Sequence, residues 1–185
     1  MKIFFPTLAL LFLTESSFAQ EPADLEYVKI FQLLFPRRNN DWLMPQADSA
    51  KRAYNYSLMQ REYYQKRYMV NDVPKRDTLF LTSEEKATIA RNIALQDKNK
   101  WTAKRMKQVG LSEFKLVPRE QLHQSATREH DVYTIMEPVF FRNNTFCFSY
   151  YADVCSGMCG QETLLILEKV NGKWEYWEEI YTIYD

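Results

Sequence analysis

Three cysteines and two histidines are the side chains in this sequence best suited to chemistry, and their spacing limits what they can do. Cys147, Cys155 and Cys159 all fall between Thr145 and Gly160, a stretch that also holds Gly157 and Gly160. Phe146 to Tyr151 is an aromatic run of strand character that leads into a short loop closed by Cys155 and Cys159. If Thr145 to Asp153 is a regular strand, Cys147 stands roughly 25 Å from Cys155 at about 3.3 Å per residue. A disulfide requires Cα atoms about 4.4–6.8 Å apart. The expected pair is therefore Cys155 with Cys159, across Ser156, Gly157 and Met158, which leaves Cys147 free. A ring this small adds little by chain entropy, so its role would be to hold the shape of the loop.

Other chemistries are open to the same residues. Cys147 could be a nucleophile with His130 or His123 as its base. Between Phe146 and Phe148, however, it reads as a small buried hydrophobe, because reactive thiols need an electropositive, partly open setting. Cys155 and Cys159 could form a thiol redox pair, but three residues separate them and they sit between strands rather than at a helix start, which favours a structural bridge. A zinc site wants four ligands at familiar spacings, which these cysteines and distant histidines do not supply. The sequence has no Gly-rich phosphate loop, no Gly-x-Ser-x-Gly and no His-Glu-x-x-His, so no cofactor or metal is expected. Glu178 and Glu179 look like a solvated strand end.

The first 19 residues have the layout of a secretory signal: Lys2, an apolar run from Ile3 to Leu13, then Ser17-Phe18-Ala19 before Gln20. That run is shorter than the roughly 20 residues a membrane span needs. The expectation is a secreted or periplasmic chain, Gln20 to Asp185, with no transmembrane segment, long enough for one domain with one core. Lys plus Arg and Asp plus Glu both number 24, so no net charge points to nucleic acid or a membrane surface. The basic stretch Lys98 to Lys107 and the acidic tail after Gln161 read as a solvated helix face and a sheet rim.

The order of elements predicts an α+β fold, with N-terminal helices packed on one face of a C-terminal antiparallel meander of about four strands. The helical part runs from about 22 to 125 and the sheet from about 131 to 183. Helices are expected over Pro22–Phe35 and over Ala50 to about Met69, the latter from Tyr56, Met59 and Tyr63 at helical spacing. Thr78 to Leu81 reads as a short extended run, and Thr82-Ser83-Glu84-Glu85 as a capping box opening a helix with Ala87, Ala90, Ile93 and Ala94 inward. A shorter helix from Trp101 to Gln108 would stop at Gly110. Phe114 to Val117 is expected to be extended, with Pro118 opening a brief helix to His123. Strands are then expected at Val132–Phe141, Thr145–Asp153, Thr163–Val170 and Lys173–Ile183, with turns at Asn143-Asn144 and Asn171-Gly172. The last turn sets Glu168 opposite Glu175, an unfavourable pair.

Glu137-Pro138-Val139-Phe140, Phe146-Cys147-Phe148-Ser149-Tyr150-Tyr151, Cys155 with Cys159-Gly160, and Asn171-Gly172-Lys173-Trp174 together resemble a group of uncharacterised exported bacterial, Bacteroidetes-like proteins. Leu81-Thr82 with Glu84-Glu85, and Trp101, are similar as well. Ser156 stands where that group has glycine. The resemblance implies an exported compartment and this fold, and no activity.

These readings lead to an exported binding or interaction module whose contact surface is the cysteine loop and the strand ends beside it: Cys155, Gly157, Cys159, Gly160 and His130. A two-residue turn at Asn143-Asn144 places Phe140 opposite Cys147 and Thr134 opposite Asp153, and its extension brings His130 level with Gly157. The alternative is an envelope enzyme, either a thiol oxidoreductase at Cys155 and Cys159 or a hydrolase using His130 with acids such as Asp153 and Glu162.

Overall fold

A computed structural model describes residues 23–36, 42–44, 54, 61–70, 73–96, 101–118, 121, 132–154 and 160–184. The segment expected to be a signal, His123, His130, and Cys155 through Cys159 with their expected disulfide lie outside the described residues.

The sheet is built from the C-terminal strands. β5 (Val132–Ile135) and β6 (Val139–Phe141) pair in succession with β7 (Phe146–Val154), which pairs with β8 (Gly160–Val170), which pairs with β9 (Lys173–Tyr184), all antiparallel. On the far side of β5 the sheet continues in parallel through β1 (Trp42–Met44) and β4 (Lys115–Leu116). The expected meander is therefore present, with a short parallel edge that the sequence did not announce.

Both tight turns form as their residues demand. Asn171 (φ 51°) and Gly172 (φ 80°) join Val170 to Lys173. Asn143 and Asn144 have φ of 53° and 60°, and the Thr145 amide donates to the Arg142 carbonyl at 3.1 Å. Positive φ at both central positions is the type I′ geometry that suits the strands' twist. Phe140 faces Cys147, as expected from that turn. Farther along, the expected register fails: Thr134 pairs with Ala152 and Tyr133 with Asp153. Between the pairs Ile135–Tyr151 and Val139–Phe148, Met136, Glu137 and Pro138 oppose only Ser149 and Tyr150. Pro138 has no amide to donate, and the ladder absorbs an extra residue there.

The stretch expected to be a second helix is overturned at its C-terminal end. Tyr54 is helical and buried, but Tyr63 to Val70 is a strand, β2, paired along its whole length with β3 (Val73–Phe80). Alternation explains the choice: Tyr64 and Leu79, directly paired, go inward, while Tyr63 and Phe80 stay exposed. Tertiary burial of one strand face outweighs the helical spacing of Met59 and Tyr63. The region 22–125 is thus not wholly helical.

Three helices are described: α1 (Ala23–Leu34), α2 (Ser83–Gln96) and α3 (Ala103–Gln108). The capping box at α2 is complete. Thr82 Oγ1 accepts from the Glu85 amide at 3.1 Å, and the Glu85 carboxylate accepts from the Thr82 amide at 2.8 Å. The inward face of α2 differs from expectation, because Ala87, Ala90 and Ala94 are exposed while Ile89, Ile93 and Gln96 are buried. The larger side chains have more area to remove from water and win the core face. α3 ends in a Schellman motif: Gly110 (φ 75°) donates to Lys107 O and Leu111 to Met106 O, with Met106 and Leu111 buried in one cluster.

Helices cover both faces of the sheet, not one. On one face, Ile30 of α1 packs with Cys147, Leu165, Leu167 and Trp174, and beside them Phe31 and Phe35 pack with Trp101, Met106 and Ile135. On the other, Tyr64 and Leu79 of the β2–β3 ribbon and Ile89 and Ile93 of α2 cover Phe148, Tyr150, Leu164 and Ile166. Phe148 anchors that side, with Tyr54, Tyr64 and Phe141 rings all within 6 Å of its own.

Candidate functional site

An open cleft of about 650 Å³ lies between β2 and β9, lined by Arg61, Glu62, Tyr63, Gln65, Arg67, Trp177 and Glu178. Its volume lies in the usual range for ligand sites, about 300–1,000 Å³.

The strand β9 makes one wall by breaking its own alternation. Leu167 pairs with Tyr176 but Ile166 with Glu178, and Leu165 pairs with Glu179 but Leu164 with Tyr181, so Trp177 and Ile180 are each left without a partner on β8. Such a bulge sends consecutive residues to the same side. Trp177 turns toward the ribbon, packing edge-on against Phe146 at 5.3 Å, with Lys66 Nζ 5.2 Å from its ring centroid. Its indole N–H is buried and finds no hydrogen-bond partner among the described residues. Ile180 enters the core.

The strand β2 makes the other wall and is tied across by side chains. Arg61 Nη1 meets Glu178 Oε1 at 2.7 Å, Arg61 Nη2 donates to the Ile180 carbonyl at 3.1 Å, and the Gln65 amide donates to Glu178 Oε2 at 2.6 Å. Lys66 pairs with Glu168 at 3.3 Å, which relieves the direct opposition of Glu168 and Glu175 in the β8–β9 ladder. One carboxylate, Glu178, thus bridges two strand edges that share no ladder with each other. Tyr64 lies beneath, its hydroxyl pKa pushed up to about 12 chiefly by burial. The cleft combines an aromatic wall, an amide and guanidinium groups. These groups can hold and orient a ligand.

A smaller hollow of about 280 Å³ lies between α1 and α2 over β6, lined by Tyr27, Leu95, Gln96, Glu137 and Phe140 among others. Arg105 is bonded to Glu137, one of the lining residues, at 2.9 Å and to Asp24 at 2.5 Å, with its guanidinium 5.0 Å from the Tyr27 ring centroid. The basic stretch seen in the sequence thus supplies one structural cation, Arg105, while Lys104 and Lys107 are exposed.

Of the five residues expected to form the contact surface, Gly160 is described; it opens β8 opposite Val154. Cys155, Gly157, Cys159 and His130 lie outside the described residues. Asp153 and Glu162 are not brought together: Asp153 pairs with Gln161 and Glu162 with Ala152, so the two side chains leave opposite faces of the sheet. Cys147 is fully buried and free, and burial, helped by the negative charge of Glu26, pushes its thiol pKa well up. Such a thiol is held protonated, the opposite of an activated nucleophile. Among the described residues no group of three or more His, Cys, Asp and Glu side chains could hold a metal ion.

Sequence reasoning missed Arg61, Gln65 and Arg67 because residues 61–69 were read as helix, and Trp177 because the β9 bulge that turns it to the cleft is defined only against the register of β8. The signal that could have found the first three is the pairing of two alternating runs around Asn71-Asp72, since Val70 pairs with Val73. Comparison with protein-family models, curated proteins and solved structures finds no match.

Proposed function

We propose that this chain is an exported binding module, and that its working surface is the cleft between β2 and β9. Export rests on the Lys2, Ile3–Leu13 and Ser17-Phe18-Ala19 pattern of the sequence. No helix among the described residues is long and apolar enough to cross a membrane. The observation that carries the binding reading is the construction of the cleft: two strands that share no ladder, tied across by Arg61, the Gln65 amide and Glu178 and by Lys66 over the Trp177 ring, with that tryptophan on the wall. An arrangement built only for stability would close these edges into a shared backbone ladder, as the neighbouring strands do. The cysteine loop, at the β7–β8 connection, remains part of the proposal as a second contact surface, since loops held by a rigid scaffold commonly carry binding.

Panning a random peptide library on the immobilised mature chain, and on a Gln65→Trp variant that fills the cleft, tests this reading. Enrichment on the parent that disappears with Gln65→Trp supports it. No enrichment, or enrichment equal on both, refutes the cleft as the working surface. N-terminal sequencing of the chain recovered outside the cytoplasm tests export, and an intact Met1 would contradict it.

A further inference from the structure

The outward face of the β2–β3 ribbon continues the cleft and gives it a sign. Tyr64 and Leu79 point inward, so the residues alternating with them belong to the outer face, among them the cross-strand pairs Tyr63 with Phe80, Gln65 with Thr78, and Arg67 with Arg76. Tyr63 and Phe80 are 46% and 60% exposed, with ring centroids 5.9 Å apart. Arg67 and Arg76 are both exposed, directly opposed, and make no ion pair among the described residues. Like charges facing each other across a ladder are destabilising, and Cβ atoms of such pairs lie about 4.5–5.5 Å apart. Of the carboxylates nearby, Glu178 is held by Arg61 and the Gln65 amide, Asp77 sits across the ladder from Lys66 with the inner parity of Tyr64 and Leu79, and exposed Glu62 lines the cleft beside Tyr63, five residues before Arg67. Tyr63, Gln65 and Arg67 also line the cleft, so the two surfaces are one.

We propose that this surface binds an extended acidic peptide: one or more carboxylates sit on the Arg67–Arg76 pair, and an apolar side chain about four residues away sits on Tyr63, Phe80 and the mouth of the cleft. The inference rests on the reading of the cleft as a binding site and adds the class of ligand. Spacing supports a peptide: positions on one strand face repeat about every 6.6 Å, so Tyr63 and Arg67 stand roughly 13 Å apart, matching residues i and i+4 of another extended chain. Two adjacent guanidinium groups present forked donors suited to carboxylates, and attraction to an anion removes their mutual repulsion. Gln65 and Thr78, between the aromatic and cationic pairs, offer an amide and a hydroxyl to a peptide backbone.

The test uses the mature chain and a fluorescein-labelled peptide Phe-Ser-Thr-Ser-Glu-Glu, read by fluorescence anisotropy. Binding should weaken as salt rises and fall at least tenfold when both Glu are replaced by Gln, or in the variant Arg67→Glu/Arg76→Glu. That variant changes only exposed side chains, its fold is checked by circular dichroism, and it should instead bind the peptide with Lys in place of Glu. Equal binding of the Glu and Gln peptides, or an unaltered affinity in the charge-reversed variant, overturns the proposal. Competition by inorganic phosphate at the same concentration as unlabelled peptide also overturns it, leaving an anion site only. If library binders depend on the cleft yet carry no acidic residues, the acidic-peptide inference fails while the binding module stands; if no binder depends on the cleft, both fail.

Discussion

Glu26 offers the sharpest test of how the two layers are held together. It lies in the first turn of α1, where a carboxylate suits the helix dipole, yet only 2% of it is exposed. Trp174 Nε1 donates to its Oε2 at 2.6 Å, and Lys169 and Lys29 reach its Oε1 at 2.9 and 3.1 Å. One side chain therefore joins α1 to both strands of the β8–β9 hairpin, above Cys147. Glu26→Ala would leave the buried indole N–H of Trp174 unpaired, a loss of about 1–3 kcal/mol. The two lysines are partly exposed, so each lost ion pair adds only about 0–1 kcal/mol after screening. Alanine's better helix propensity returns a few tenths. The net expectation is about 3 kcal/mol, or roughly 6–12 °C in Tm for a domain of this size. Glu26→Gln keeps an acceptor for Trp174 and should cost about 1–2 kcal/mol. Urea titration of both variants, with Trp174→Phe to complete a double-mutant cycle, measures the coupling. If Glu26→Ala costs less than about 1 kcal/mol, or if Gln costs as much as Ala, the reasoning that assigns most of the loss to the orphaned indole is refuted.

Gly110→Ala should destabilise by about 1–2 kcal/mol, because φ is 75° and the added Cβ would come within 3.2 Å of Val28, and thermal melting checks it. Thr82→Ala should lower stability by about 1 kcal/mol through loss of the α2 cap, read from the denaturation midpoint. Glu85 is held below the usual carboxylate range first by its hydrogen bond from Arg142 and then by the Thr82 amide. Its folded pKa is depressed, so its contribution is present above the unfolded value and is lost as pH falls through the folded one. Stability of the parent should therefore drop in mild acid more than that of Glu85→Gln, and parallel pH profiles would contradict this. Cys147 should resist a thiol-specific reagent in the native state at neutral pH and react once the chain is unfolded; rapid native labelling of that position would exclude the burial described.

Local chemistry was legible in the sequence, and long-range choice was not. The Thr82–Glu85 box, the Gly110 stop and the two Asn-initiated turns each state their geometry within four residues, and all form. The meander follows from those turns. The Ala-lined face of α2 was misjudged because helical spacing says which residues share a side, not which side faces the sheet. Coverage of both sheet faces was hidden for a related reason: β7 and β8 are apolar on both faces, as Cys147 beside Phe148 and Leu165 beside Ile166 show, and a double-sided strand implies a second layer. That inference was available from Phe146 to Tyr151 and from Leu164 to Leu167.

The cleft itself depends on the least legible feature, the two extra residues of β9. Read as a regular strand, Lys173 to Tyr184 would alternate faces throughout, sending Trp174 and Tyr176 to one face and Glu175 and Trp177 to the other, with Glu178 turned away from Trp177. The bulges at Trp177 and Ile180 shift that phase twice, so Trp177 and Glu178 serve the same wall while Ile180 still reaches the core. They also bend and twist an otherwise long sheet edge, which with Glu175 and Glu179 at its surface discourages pairing with another strand. The edge on which further pairing is discouraged belongs to the strand that faces the ribbon across the cleft. Protection of the edge and construction of the binding surface are thus consequences of the same two residues, and neither could be located from β9's own sequence, because the bulges are defined only against the register of β8.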